Sequence, residues 1–204
     1  KLPYGLALWS GMRKEYPKAY QYFQEWEDVL RETRERNSKF YDPDKDPFYV
    51  LDNVGEYTFA PYKAAWREIS KGVQSTVLEP IDVGLGEDKP IANTHKVMFI
   101  PFYQRKPAHF ACAIMNSSLT EIIIRGYTEA LTGLSPHILE TVNIPTFDTN
   151  SDIHQKLANL SIQAHKGDRD ISAIEEDIDK VVAKMWGLSN DELVDVWQSL
   201  EELP

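Results

Sequence analysis

Three groups of residues have types and spacings from which chemistry could be built. His109 and Cys112 stand three apart in a helical pattern, a spacing that can supply two metal ligands, but no second pair at ligand spacing exists elsewhere. A core cysteine beside an ordinary histidine is the plainer reading. His154 and His165 fall at opposite ends of one helical stretch, too far apart to share a metal, and His95 and His137 have no acid directly beside them. None of them takes a catalytic role. Glu175, Glu176, Asp177 and Asp179 form a carboxylate cluster, yet helical spacing fans them over the solvent side, opposite an isoleucine stripe. No glycine-rich phosphate loop follows a strand, and neither a nucleophile elbow nor a His-Glu-x-x-His pattern occurs.

The third group is the stretch from Gly55 to Lys71, where Tyr57, Phe59, Tyr62 and Trp66 interleave with Lys63, Arg67 and Lys71. Bases and sugars pack on aromatic faces while lysine and arginine meet phosphate, and arginine can read guanine through two parallel hydrogen bonds. The same pattern also suits a strand with core aromatics and charges that snorkel to water. The formal net charge of −10 speaks against a polyanionic partner only if it is evenly spread. It is not: residues 136–204 carry 5 basic against 14 acidic side chains, whereas residues 61–135 carry 8 against 7. The middle of the chain is free to present a locally basic face.

These groups must be positioned by a folded scaffold, and 42% apolar with 11% aromatic residues over 204 positions is core-rich enough to build one. The spacing of Tyr16, Ala19, Tyr20, Phe23, Val29 and Leu30 predicts one amphipathic helix from Tyr16 to Arg36, with Pro17 in its first turn. Proline, aspartate and glycine make residues 39–56 a loop. Aromatic and β-branched residues predict two short strands between Thr58 and Val83, and Lys96–Phe102 a third, buried one. Residues 107–128 read as helix, with Asn116-Ser117-Ser118 as a kink or a fresh start. Leu139–Pro145 reads as an irregular connection ending in a short extended piece. Two helices joined at Gly167-Asp168 follow, with stripes Ile153, Leu157, Leu160, Ala164 and Ile171, Ile174, Ile178, Val181, Met185. Ser189 and Glu192 form a capping box for a last short helix. The sum is an α+β fold: a small mixed sheet flanked by helices, then a C-terminal helical hairpin and a short final helix. Apolar runs stop well short of the roughly 18 to 20 residues that span a bilayer. The single cysteine suits a reducing compartment, so the expected location is cytoplasmic. Residue 1 is a lysine with no leader pattern after it, and the sequence reads as part of a longer polypeptide.

The order of these features resembles a known family. Tyr16-Pro17-Lys18-Ala19-Tyr20 through Leu30-Arg31, a phenylalanine-tyrosine-containing loop and Tyr57-Thr58-Phe59-Ala60-Pro61-Tyr62-Lys63 are similar to segments downstream of the catalytic domain in adenine-N6 DNA methyltransferases of restriction-modification and phage-defence systems, including fused type IIG enzymes. Lys96–Phe102 with Ala111-Cys112-Ala113-Ile114-Met115-Asn116-Ser117, then Val142-Asn143-Ile144-Pro145 and Trp186-Gly187-Leu188-Ser189, resemble later parts of the same region. The resemblance implies a DNA target recognition domain. It places methyl transfer from S-adenosylmethionine in a separate upstream domain, whose Asn-Pro-Pro-Tyr-type motif is not in this sequence. No cofactor and no methyltransferase activity are then expected of this chain, and its partners are double-stranded DNA and the parent catalytic domain. The expected domains are a recognition domain with its N-terminal helix at 1–149 and a helical subdomain at 150–204. The candidate DNA-facing side chains are Tyr57, Tyr62, Lys63, Arg67, Lys71, Gln74, Lys96, Arg105 and Lys106. The competing expectation, favoured by the acidic last third, is a helical protein-interaction module.

Overall fold

The structure is a computed structural model that describes residues 11–37, 41–42, 44–50, 54–70, 72–84, 86–94, 96–127, 136–167 and 169–203. The chain forms two compact units, residues 1–58 and 59–204.

The first unit holds α1 (Met12–Glu15), α2 (Pro17–Gln24) and α3 (Glu27–Asn37). The single helix expected over this region is broken at Glu25-Trp26, where Trp26 N bonds to Phe23 O, a three-residue step that tightens the turn. Pro17 opens α2, where its missing N–H costs nothing. Residues 44–50 form turns without regular structure, in line with the expected loop. They fold back so that Phe48 and Tyr49 are buried with Met12 against Tyr20, Phe23 and Leu30. Tyr20 meets both aromatic rings edge-on at 5.9 Å. Arg31 lies over the Phe48 ring while its guanidinium is held by Glu27 and the Tyr41 hydroxyl. Arg34 donates to Phe48 O.

The second unit is built on β1 (Tyr62–Arg67), β2 (Ser75–Leu78) and β3 (Val97–Phe102), in the order β2-β1-β3. Both pairings are antiparallel. The sheet is therefore not mixed as expected: six residues separate β1 from β2's lead-in at Gln74, too few for the crossover that adjacent parallel strands require. Between β2 and β3 the chain makes a small turn closed by Ile81 and Lys89, with Gly84 and Gly86 at φ of 73° and 88°. β3 is an edge strand and half-buried throughout rather than buried.

Ala64, Trp66 and Val77 pack the sheet on α4 (Arg105–Met115), whose residues from Ala108 to Met115 are all buried. Asn116-Ser117 ends that helix and α5 (Ser118–Tyr127) starts afresh. α6 (Pro136–Leu139) is a single turn, and residues 143–148 form no strand. The last third matches its expected pattern: α7 (Asp152–Lys166), α8 (Ile171–Trp186) and α9 (Asn190–Glu202). Ser151 and Asp170 cap α7 and α8, Gly167 and Gly187 end them in the left-handed conformation, and Ser189 with Glu192 makes the capping box of α9. Leu157, Ala158, Ile174, Ile178 and Val182 lie in the same core as Ala64 and Trp66. The two compact units thus meet at 58/59, while the expected division lay at 149/150; α7 is continuous with the sheet's core because it covers the face of α4 that the sheet leaves open. Among the described residues no helix is long and apolar enough to cross a membrane.

Candidate nucleic-acid interface

Strand register decides which candidate side chains come together. Tyr62 pairs with Phe102 at one end of β1 and Arg67 with Val97 at the other, and five steps of about 3.3 Å separate the two ends by roughly 17 Å. Arg67, Gln74 and Lys96 stand at the second end, where Gln74 falls opposite Arg67 on one face and Lys96 opposite Glu68 on the other. All three side chains are exposed. Lys96 Nζ lies 3.9 Å from Glu68 Oε2, a loose surface pair, and Arg67 has no side-chain partner among the described residues. Arg105 and Lys106 stand at the opposite end, in the first turn of α4. Tyr62 is half-buried against the core, and Tyr57, at 36% exposure, belongs to the first unit. Lys71 lies outside the described residues.

Lys63 corrects the expectation most sharply, because its side chain is only 1% exposed and cannot reach a phosphate. Its ammonium donates to Ala60 O at 2.9 Å and Ile91 O at 2.6 Å and sits 5.4 Å from the Phe99 ring centroid. Burial pushes its pKa down. The cause is that β1 is covered on both faces, by α4 beneath Ala64 and Trp66 and by residues near Ile91 over Lys63. A lysine there works as a three-donor clamp on backbone carbonyls rather than as a surface cation.

Arg105 is likewise engaged. It grips Glu79 through Nε and Nη2 at 2.8 to 3.0 Å, and Glu79 also meets His109 Nε2 at 3.2 Å. The Arg105 hydrogen bonds hold the Glu79 carboxyl below its usual range, and Glu79 in turn raises the Arg105 pKa. His109 is fully buried, and desolvation pushes its pKa down to about 4. Its Nδ1 lies 3.0 Å from Ser161 Oγ. Serine, histidine and carboxylate in a row have the residue types of an acyl-transfer relay. Here Ser161 is 3% exposed and packed inside α7, so no substrate atom can reach its hydroxyl. Cys112, also fully buried, leans on Ser75 O, and burial raises its thiol pKa. Cys112 is the core cysteine expected, and with His109 it lies along this polar seam between α4, β2 and α7. Lys106 remains exposed and donates to Gln155 at 2.6 Å. Among the described residues no group of three or more His, Cys, Asp or Glu is placed to hold a metal.

The outer edge of β2 carries a feature that sequence reading missed. Val73 N donates to Glu121 Oε2 at 3.1 Å, Ser75 N to Asn116 Oδ1 at 2.7 Å, and Val77 N to His165 Nε2 at 2.9 Å. Asn116 Nδ2 returns a bond to Ser75 O at 2.8 Å. Alternate outward N–H groups are thus satisfied by three side chains, two from helices and one from a helix C-cap, acting in place of a fourth strand. Gly72 lacks a side chain where it matters, since a Cβ there would lie 2.6 Å from Glu121 Oε1. At the other edge, alternation turns Pro101 outward, where it offers no N–H. Beside the closed β2 edge run two adjoining clefts of about 350 and 560 Å³, which share Val73, Gln74, Asn116 and Glu175. Burial, with Asp179 and Asp170 nearby, raises the Glu175 pKa. A more apolar cleft of about 420 Å³ lies between β3, α4 and residues 144–147. Compared with known proteins, the chain matches no family model and no curated protein.

Proposed function

We propose that this chain is a DNA target recognition module serving an adenine-N6 methyltransferase or restriction-modification enzyme, with methyl transfer from S-adenosylmethionine carried by a separate catalytic domain. The observation that carries the reading is the placement of Arg67, Gln74 and Lys96, all exposed, at one end of the sheet. An arginine and an amide can read base edges there while a lysine meets phosphate. They stand on paired strands or directly beside them, which limits the entropy lost on docking. Together with the resemblance of the chain's motifs to that family, this favours duplex DNA as the partner. Lys106 at the far end of the sheet serves as a flanking phosphate contact, and the site of action is the cytoplasm.

The rival reading, a helical protein-interaction module, draws support from the burial of Lys63, from the pairing of Arg105 with Glu79 and from the exposed acids of α8 and α9. Selection from a pool of fluorescent duplexes with a randomised core separates the two. Enrichment of a defined sequence by the wild-type chain, relaxed at one position by Arg67→Ala, is the outcome expected of target recognition. A bound pool no different from the input contradicts it and favours the interaction module.

A further inference from the structure

We propose that His165 is an acid-sensitive latch fastening the last turn of α7 to the outer edge of β2. The inference is independent of DNA binding and rests on which partners each ring nitrogen has. Nδ1 lies 2.8 Å from Ser161 O, and a carbonyl only accepts, so the partners assign the ring proton to Nδ1. Nε2 lies 2.9 Å from Val77 N, and a backbone N–H only donates, so Nε2 must offer its lone pair. The neutral ring satisfies both contacts. A second proton has no place at Nε2 without setting two N–H groups against each other. The imidazolium can donate instead to Thr76 Oγ1, now 3.0 Å away, only by giving up Val77 N.

The groups that face the ring leave this proton as the controlling one. β2 presents the neutral Thr76 hydroxyl and the Val77 amide. α4 presents His109, edge-on with ring centroids 4.9 Å apart, which stays neutral down to about pH 4; behind it Glu79 and Arg105 pair with each other. α8 presents Glu175 across the cleft of about 560 Å³, and on α7 itself the flanking charge is Lys166. Residue 165 is exposed, so a proton reaches the ring without unfolding. The amides of Val73 and Ser75 do not depend on this ring, since Glu121 and Asn116 hold them. Acid therefore opens one rung of a closed edge, beside Gln74 and Thr76, and loosens the end of α7 from the sheet.

Amide hydrogen exchange on the full chain tests this between about pH 7.5 and about pH 5, with protection corrected for intrinsic exchange. Val77 is expected to lose protection at the acid end of this range, while Ser75, held by the non-titrating Asn116, keeps its own. His165→Gln, which can accept from Val77 but carries no titrating proton, is expected to abolish the difference. Val77 and Ser75 changing in parallel across the range would overturn the latch. So would ring nitrogen NMR of the wild-type chain that places the neutral proton on Nε2, whether or not the variant folds.

Discussion

Asn116 pairs with both backbone groups of Ser75, accepting from its N–H at 2.7 Å and donating to its C=O at 2.8 Å, and so stands in for a neighbouring strand. Its position explains why the helical stretch stops where it does. Asn116 follows the last turn of α4, and the restart at Ser118, where Asp179 accepts from the backbone N–H, leaves its amide free to turn toward β2. Replacing Asn116 by alanine leaves the Ser75 N–H without a partner and its carbonyl with only the weak Cys112 thiol contact, at a cost of about 1 to 3 kcal/mol. Asn116→Asp keeps the acceptor and loses the donor, and is expected to fall between. Urea unfolding of the three proteins measures the order.

His109 sets an acid limit on stability. Its pKa falls from 6.5 in the unfolded chain to about 4 in the fold, so between these values the unfolded state binds a proton that the folded state refuses. Stability therefore declines as pH falls through that window, by about 2 kcal/mol at pH 5 relative to neutral solution, with no further loss from this group below its folded value. Glu79 acts later: its depressed carboxyl contributes stability above the ordinary carboxylate range that is lost as pH falls through its lower folded value. His109→Gln is expected to start less stable and to show a flatter profile from neutral pH to pH 5. Urea midpoints taken across the range check both features.

The helices were the most legible part of the sequence, because their signals are local. Gly167 and Gly187, the Ser189–Glu192 box and stripes such as Ile174-Ile178-Val181 each act within a few residues. The strands were placed nearly as well. What escaped was everything set by distant neighbours. Lys63 and Arg67 share a parity on β1, yet one is buried and the other exposed, since only the first lies beneath the segment around Ile91. The closure of β2 depends on residues 41 to 88 positions away, which no periodicity reveals. Gly72, where a Cβ would lie 2.6 Å from Glu121 Oε1, acquires its meaning only once Glu121 is seen to cover that edge.

Ile178 is 4% exposed in the core that α8 shares with α7 and the sheet. Ile178→Ala is expected to cost about 2 to 5 kcal/mol. Thermal melts read the loss, and an unchanged midpoint would place the stripe outside the core.

Lys63 separates stability from binding. Lys63→Met keeps the apolar stem but leaves the Ala60 and Ile91 carbonyls without their donor, at about 1 to 3 kcal/mol for each group left unsatisfied. Its thermal midpoint is expected to fall, while any duplex affinity stays that of the wild type under conditions where both are folded.

The most direct test of DNA recognition is a salt titration of fluorescent duplex binding by the wild-type chain, Arg67→Ala, Lys96→Ala and Lys63→Met. Binding is expected to weaken steeply with salt. Lys96→Ala is expected to flatten that dependence by about one unit, as the loss of one phosphate contact requires, and Arg67→Ala to weaken binding, while Lys63→Met leaves the slope unchanged. No salt-dependent binding, or a slope that Arg67→Ala and Lys96→Ala leave untouched, would contradict the assignment of this end of the sheet to DNA.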